Sequence, residues 1–266
     1  MVEPVTDAAD LRLDDYRDLK DAGIRRRLEG GEFFVTEGPV AIERLISSGH
    51  RVRSVVVTDR AHDRLQNALA VLDAPVYVVT REVLRDIVGF DLHRGAIASA
   101  DRLAHPTLDE LIATTTRIAV LEGLNDPENL GAIARSARAL GIGGLVLDPT
   151  CIDPYTRRTV RVSMGEILFL PACRVSADDW PASVTKLERS GFETWALTPD
   201  DDAADIWTLE PPSRLALMLG AEGSGLAEAT LAVAGRRVRL PIAHDVDSLN
   251  VAAAAAVAFA VVGRPR

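Results

Sequence analysis

The period at which apolar residues recur changes several times along the chain, and each change predicts an element. Residues Leu11 to Arg27 form a mostly polar stretch read as a helix, closed by the breaker pair Gly30-Gly31. Beyond it the pattern turns strand-like at Phe33-Phe34-Val35, and Pro39 suits the first turn of a helix reaching Ile46. The β-branched run Val52 to Val57 predicts a strand, Arg60 to Leu72 a helix, and Val76 to Val79 a further strand. Thr80 caps the next helix, with Glu82 and Val83 in its first turn, and Gly95 to Ala98 closes a small α/β unit.

Composition shifts at Arg102-Leu103-Ala104-His105-Pro106, where a polar, Thr-rich stretch runs up to Arg117. The expected organisation is an α/β domain over residues 1–104, a linker over 105–116 and a second domain over 117–266. In the second domain a strand at Ile118 to Leu121 is followed by a helix from Asn129 to Leu140 and a strand at Leu145 to Leu147. A helix from Trp180 to Arg189 leads to strands at Glu193 to Leu197, Leu215 to Leu219 and Val238 to Leu240, and a helix from Ser248 to Val262 ends the series. Such alternation predicts a mostly parallel sheet covered on both faces. The apolar run Val251 to Val262 is well short of the roughly 20 residues that span a bilayer, so it is expected to be a buried helix, with no membrane as partner. Its alanines suit close packing against another helix.

Hydrophobic residues make up 47% of the 266 residues and charged ones 26%, the balance of a chain able to bury a real core. The formal charge of -9 lacks the basic footprint of a general nucleic-acid binder, so any RNA contact must come from local arginine clusters. Lys20 and Lys186 are the only lysines. Cys151 and Cys173 have no metal-ligand spacing, and the acidic N-terminus lacks the regions of a signal peptide. A reduced, cytoplasmic protein without a metal is expected.

Candidate chemistry concentrates in three blocks of the second domain. They are Asp126-Pro127-Glu128-Asn129-Leu130-Gly131-Ala132-Ile133-Ala134-Arg135, then Leu219-Gly220-Ala221-Glu222-Gly223-Ser224-Gly225-Leu226, then Leu240-Pro241-Ile242 followed by Asp247-Ser248-Leu249-Asn250. Each puts polar residues where a strand pattern gives way to a loop or helix. Asn129 is expected to open a helix whose backbone N–H groups favour an anion, with Arg135 nearly two turns on. Arginine grips a phosphate with paired hydrogen bonds. Glu222 sits in a glycine-flanked loop that permits close approach of a ligand. Ser248 is placed to cap the last helix, and Asn250 inside a helix it does not favour points to function. A nucleotide-binding fold of the dehydrogenase kind would carry a glycine-rich turn after its first strand, where this chain has Glu122-Gly123-Leu124-Asn125-Asp126-Pro127.

Together the three blocks resemble the signature of the SpoU (TrmH-like) RNA 2′-O-ribose methyltransferases of the knotted SPOUT class. The N-terminal part is similar to the ribosomal-protein-like substrate-binding domain of many such enzymes, through Phe34-Val35-Thr36-Glu37-Gly38, Val40 to Leu45, Val55-Val56-Val57 and Arg94-Gly95-Ala96-Ile97-Ala98. The resemblance implies a C-terminal knotted α/β domain behind a small α/β RNA-binding domain, S-adenosylmethionine as methyl donor, structured RNA as substrate (ribosomal before transfer RNA) and a homodimer. It assigns catalysis to Asn129, Arg135, Glu222, Ser248 and Asn250, and donor contacts to Gly220, Leu240, Ile242 and Leu249. The matching arginine of the family is proposed as a base; a guanidinium is almost never neutral, so Arg135 is expected to stabilise developing charge instead. Arg138, Arg157, Arg158 and Arg161 are candidate RNA contacts, and Arg25, Arg26 and Arg27 weaker ones. Glu128, where the family usually has glycine, and the loop pair His244-Asp245 depart from the pattern and bear on loop shape and substrate. The competing reading is a non-catalytic RNA-binding or ribosome-assembly factor retaining the fold.

Overall fold

A computed structural model describes residues 2–20, 23, 31–243, 246 and 248–263. Arg25, Arg26, Arg27, His244, Asp245 and Asp247 lie outside the described residues. Two compact units emerge, one of residues through Ala104 together with Tyr155–Leu168, the other of His105–Pro154 and Phe169 onward.

The first unit is built on strands β1 (Val2–Pro4), β2 (Phe33–Glu37), β3 (Val52–Val57), β4 (Val76–Val78) and β5 (Ala96–Asp101). Their order is β1-β4-β3-β5-β2, with β5 antiparallel to both neighbours and the remaining pairs parallel. Helices α1 (Pro39–Ser47), α2 (Asp59–Leu69) and α3 (Arg81–Val88) connect the strands. Pro39 stands in the first turn of α1, and the Thr80 hydroxyl accepts from the Val83 N–H to cap α3. The leading helix differs from expectation. Residues Leu11–Tyr16 form a 3-10 helix whose Leu13 and Tyr16 are fully buried, and Tyr16 Oη lies 2.7 Å from both Ser54 O and Ser54 Oγ. Two apolar anchors on a six-residue turn escape a periodicity argument.

The second unit begins with α4 (Leu108–Thr114), inside the stretch expected to be linker. Thr107 and Glu110 form a reciprocal capping box there, and Leu111 is buried in the core of the unit. The linker reading therefore gives way to a docked helix. Next come β6 (Arg117–Leu121), α5 (Pro127–Ala139), β7 (Gly144–Leu147), α6 (Arg157–Val162), β8 (Ala172–Arg174), α7 (Ala182–Arg189), β9 (Glu193–Leu197), β10 (Ala204–Asp205), β11 (Leu215–Leu219), α8 (Glu228–Val233), β12 (Arg236–Arg239) and α9 (Val251–Val262). The seven strands lie in the order β10-β12-β9-β11-β6-β7-β8, every pair parallel. Strands β6, β7 and β11 are buried at every position, as a parallel sheet covered on both faces requires. Leu111, Val184 and Leu187 pack with Ile118, Val120, Ala216 and Met218 in one core cluster.

Helix α9 packs against α5. It is apolar throughout but not uniformly buried, since Ala255, Ala258 and Phe259 are at 0% exposure while Val257 is at 37%. Buried Arg117 donates to Val262 O at 2.9 Å, holding the last carbonyl of α9 where a cation is favoured, and to Ser213 O at 2.7 Å.

The excursion Tyr155–Leu168, read from the sequence as part of the second domain, groups with the first unit. Its α6 packs on β2, and Gly165 (φ +82°) passes so close to α1 that an added Cβ would lie 3.3 Å from Ala41 Cα. The Arg44 guanidinium donates to Met164 O at 2.5 Å and pairs with Glu166 at 2.9 Å.

Candidate active site

In an open parallel sheet, ligands bind beyond the carboxyl ends of the strands. The second unit has a cleft of about 710 Å³ there, where β9, β11 and β12 end. Gly220, Leu240, Ile242 and Leu249, the expected donor contacts, all line it, as do Glu222, Ser248 and Asn250. Gly220 has no room for a side chain, because a Cβ would stand 2.1 Å from the Gly225 carbonyl carbon. The loop closes on itself there, with Gly225 N–H donating to Ala221 O at 3.0 Å.

Asn250 is the hub of the site. It caps α9 from outside the helix, its Oδ1 accepting from the Ala252 and Ala253 N–H groups at 2.9 and 3.2 Å. The expectation that Ser248 caps this helix and that Asn250 lies within it is thus corrected. Two orphan N–H groups orient the Asn250 amide, and Nδ2 points away from the helix. That nitrogen donates to Asn129 Oδ1 at 3.0 Å and to Glu222 Oε1 at 2.5 Å. One side chain therefore joins all three sequence blocks.

Asn129 occupies the first turn of α5 and is buried. The helix starts two residues earlier than expected, at Pro127, with Asp126 accepting from the Glu128 N–H as cap. This frees the Asn129 side chain for Asn250. Arg135, six residues on and so about 9 Å further along the axis, is exposed and has no hydrogen bond or ion pair among the described residues. It does not line the cleft. The structure thus brings Asn129, Glu222 and Asn250 into contact, adds Ser248 to the same cleft, and leaves Arg135 outside it.

Leu197, Thr198 and Pro199 also line the cleft and were not singled out from the sequence. The available signal was a strand ending directly in Thr198-Pro199, but only the placement of β9 beside β11 brings that end to the site.

The remaining candidates do not line the cleft. Arg138 lies over the Phe169 ring, 5.5 Å from its centroid. Arg157 and Arg161 both ion-pair with buried Glu37 within the first unit, the latter at 2.6 Å, and Arg157 covers Phe90. Arg158 is exposed on the same helix. Arg157, Arg158 and Arg161 belong to the first unit, while every residue lining the cleft belongs to the second. Both cysteines are buried, and burial beside Asp148 pushes the Cys151 thiol up to about 12 while burial raises Cys173 too, a setting that disfavours the thiolate. Among the described residues no cluster of His, Cys, Asp and Glu could hold a metal, and no helix is long and apolar enough to cross a membrane.

The description "SpoU rRNA Methylase family" fits residues 116–260, which contain the whole cleft. An uncharacterised tRNA/rRNA methyltransferase of Mycobacterium tuberculosis is 41% identical over 97% of this chain and 90% of its own. A 23S rRNA (guanosine-2′-O-)-methyltransferase of Vibrio parahaemolyticus is 29% identical over 77% of this chain and 85% of its own. The rRNA methyltransferase of Sinorhizobium meliloti, solved alone and with AdoMet bound, superposes with a TM-score of 0.80 at 25% and 24% identity, covering 98% of this chain and 97% of that one. With the three motif blocks joined at Asn250 inside the matched region, the chain belongs to the SpoU rRNA methylase family.

Proposed function

We propose that the protein transfers a methyl group from S-adenosylmethionine to a ribose 2′-hydroxyl of structured RNA, ribosomal rather than transfer RNA. The observation that carries the reading is the Asn129–Asn250–Glu222 cluster, held at the edge of a cleft of cofactor size, with Arg135, which has no ion pair among the described residues, on the helix that bears Asn129. The cleft fits the donor in kind. Leu197, Leu240, Ile242 and Leu249 offer apolar walls for an adenosine, and a volume of about 710 Å³ is that of small-molecule sites. Bound there, the donor supplies an electrophilic methyl group on a sulfonium.

The chain's own groups do the rest. Asn250, fixed by its cap bonds, holds the Glu222 carboxylate and the Asn129 amide in one arrangement before substrate arrives, the preorganisation that electrostatic catalysis needs. Arg135 has no carboxylate partner among the described residues, and a guanidinium suits both an RNA phosphate and the charge that develops on the ribose oxygen. Ser248 orients ribose or donor. Ribose methylation at an RNA site should disappear from total RNA of cells lacking the protein, read by mass-spectrometric mapping. Unchanged ribose methylation, together with no micromolar binding of S-adenosylmethionine by calorimetry, favours the non-catalytic factor.

Under the same reading the second unit is the knotted SPOUT domain, the first is a ribosomal-protein-like RNA reader, and the enzyme works in the cytoplasm as a homodimer. The outward side of α9, with Ala253, Val257 and Ala260, is the surface for pairing. Val257→Arg should yield a folded monomer of reduced activity, measured by light scattering and methylation. Ala255→Arg, by contrast, puts a charge into the unit's own core and should unfold it. A wild type that is monomeric at micromolar concentration with full activity removes the dimer.

A further inference from the structure

We propose that Glu122 is a positioning residue that holds both ends of the Glu222 loop, and so sets where Glu222 meets Asn250; the proposal rests on the methyltransferase reading above. Glu122 follows the last residue of β6 directly. Its backbone N–H donates to Leu219 O at 2.9 Å, at the point where β11 ends and the loop begins. Its carboxylate reaches the other end, where Oε2 accepts from the Ala227 N–H at 3.0 Å. Ala227 is the N-cap of α8, so its N–H is one that the helix itself leaves unsatisfied. Loop residues Gly220 to Leu226 are therefore closed at both ends by a single residue.

Two further donors fix the carboxylate. Trp180 Nε1–H donates to Oε1 at 3.0 Å and Thr230 Oγ1–H donates to the same oxygen at 2.8 Å. Thr230 is buried, so its hydroxyl has no water to turn to and the bond is expensive to lose. All three side-chain bonds to Glu122 come from neutral donors, two at the start of α8 and one on Trp180, which is the arrangement of a rivet rather than of a reacting group. The neighbouring residue tightens the contact, since a Cβ on Gly123 would lie 3.1 Å from Ala221 Cβ, inside the loop. Glu122 does not line the cleft, and its effect must pass through the loop.

The test is Glu122→Gln in the full chain. The amide can still accept from Trp180 and Thr230, but its NH2 group then faces the Ala227 N–H, donor against donor. Amide hydrogen exchange over residues 220–227 should accelerate about tenfold or more while β6 and β11 keep their protection. In turnover, kcat should fall on the order of tenfold, as misplacement of a supporting group does. In a Glu222→Gln background the same substitution should cost less than about twofold, because a residue acting through Glu222 has nothing further to lose. An undiminished tenfold loss in that background, or unchanged exchange in the loop, overturns the proposal. Should Glu122→Gln not fold, Thr230→Val and Trp180→Phe each remove one of the bonds. Faster loop exchange in both supports the rivet, and no change in either overturns it. If the wild type methylates no ribose, the functional reading fails on its own, and the exchange measurements still decide the role of Glu122.

Discussion

Arg135 on α5 and Arg161 on α6 are both exposed arginines on capped helices, and both stood out as possible RNA contacts. Their surroundings differ. Arg161 shares with Arg157 the carboxylate of Glu37, a β2 residue at 6% exposure, where burying a charge is costly unless it is paired. Arg135 has no carboxylate at all among the described residues. The contrast teaches that an arginine's availability to substrate is set by whether the fold already supplies its counter-ion. On α6 the cations neutralise a carboxylate of the first unit, and on α5 Arg135 finds no such carboxylate among the described residues.

The sharpest way to break that contrast is Arg135→Ala. Loss of a group that stabilises developing charge should reduce methylation about 10²- to 10³-fold. S-adenosylmethionine affinity should stay within a few-fold and unfolding should be unchanged, because the side chain is exposed and makes no hydrogen bond or ion pair among the described residues. Arg135→Lys should also be poor, as a point charge does not reproduce the planar fork. Full activity in either variant takes Arg135 out of the chemistry.

Glu37→Gln probes the other side. Two guanidinium groups then face a neutral amide, and charge-assisted bonds of this kind are worth about 2 kcal/mol of stability. Denaturant unfolding should show that loss in the first unit, while donor affinity in the second is unaffected. If stability is untouched and RNA binding falls instead, Arg157 and Arg161 serve RNA rather than the fold.

The smallest expected effect sharpens the description of the same unit. His50 is buried, its ring edge-on to Phe34 and Tyr155, with Nδ1 3.0 Å from Asp101 O. Burial lowers its pKa below the ordinary 6.5, so the unfolded chain takes up the proton first. The contribution of His50 is therefore present above that ordinary value and is lost as pH falls through the lower folded one. Stability measured from neutral to mildly acidic pH should decline less in His50→Phe than in the wild type.

Much of this organisation was legible in the sequence. Runs such as Val52–Val57 and Leu215–Leu219 announce strands because β-branched and apolar residues sit between turn residues, and the unbroken apolar run of Leu215–Leu219 fits a parallel sheet covered on both faces. The three polar blocks were visible as well, and the structure joins them at one amide. What could not be seen is whatever depends on a partner distant in sequence. The cap of α9 fell on Asn250 rather than Ser248, both of which can cap; the difference is made by Asn129 and Glu222 receiving the other end of the amide. The departure of Tyr155–Leu168 to the first unit depends on Glu37 and Arg44, more than a hundred residues earlier. Short strands such as β1, β8 and β10 are too brief for any period to register.

The central claim is that the oxygen receiving the methyl group is the ribose 2′-hydroxyl. Unmodified ribosomal RNA incubated with the purified protein and methyl-labelled S-adenosylmethionine can be hydrolysed in alkali, which cleaves RNA only where a free 2′-oxygen can attack the adjacent phosphorus. Label retained in alkali-resistant dinucleotides, and absent when Arg135→Ala replaces the wild type, is the predicted result. Label released in mononucleotides would place the methyl group on a base and contradict the account.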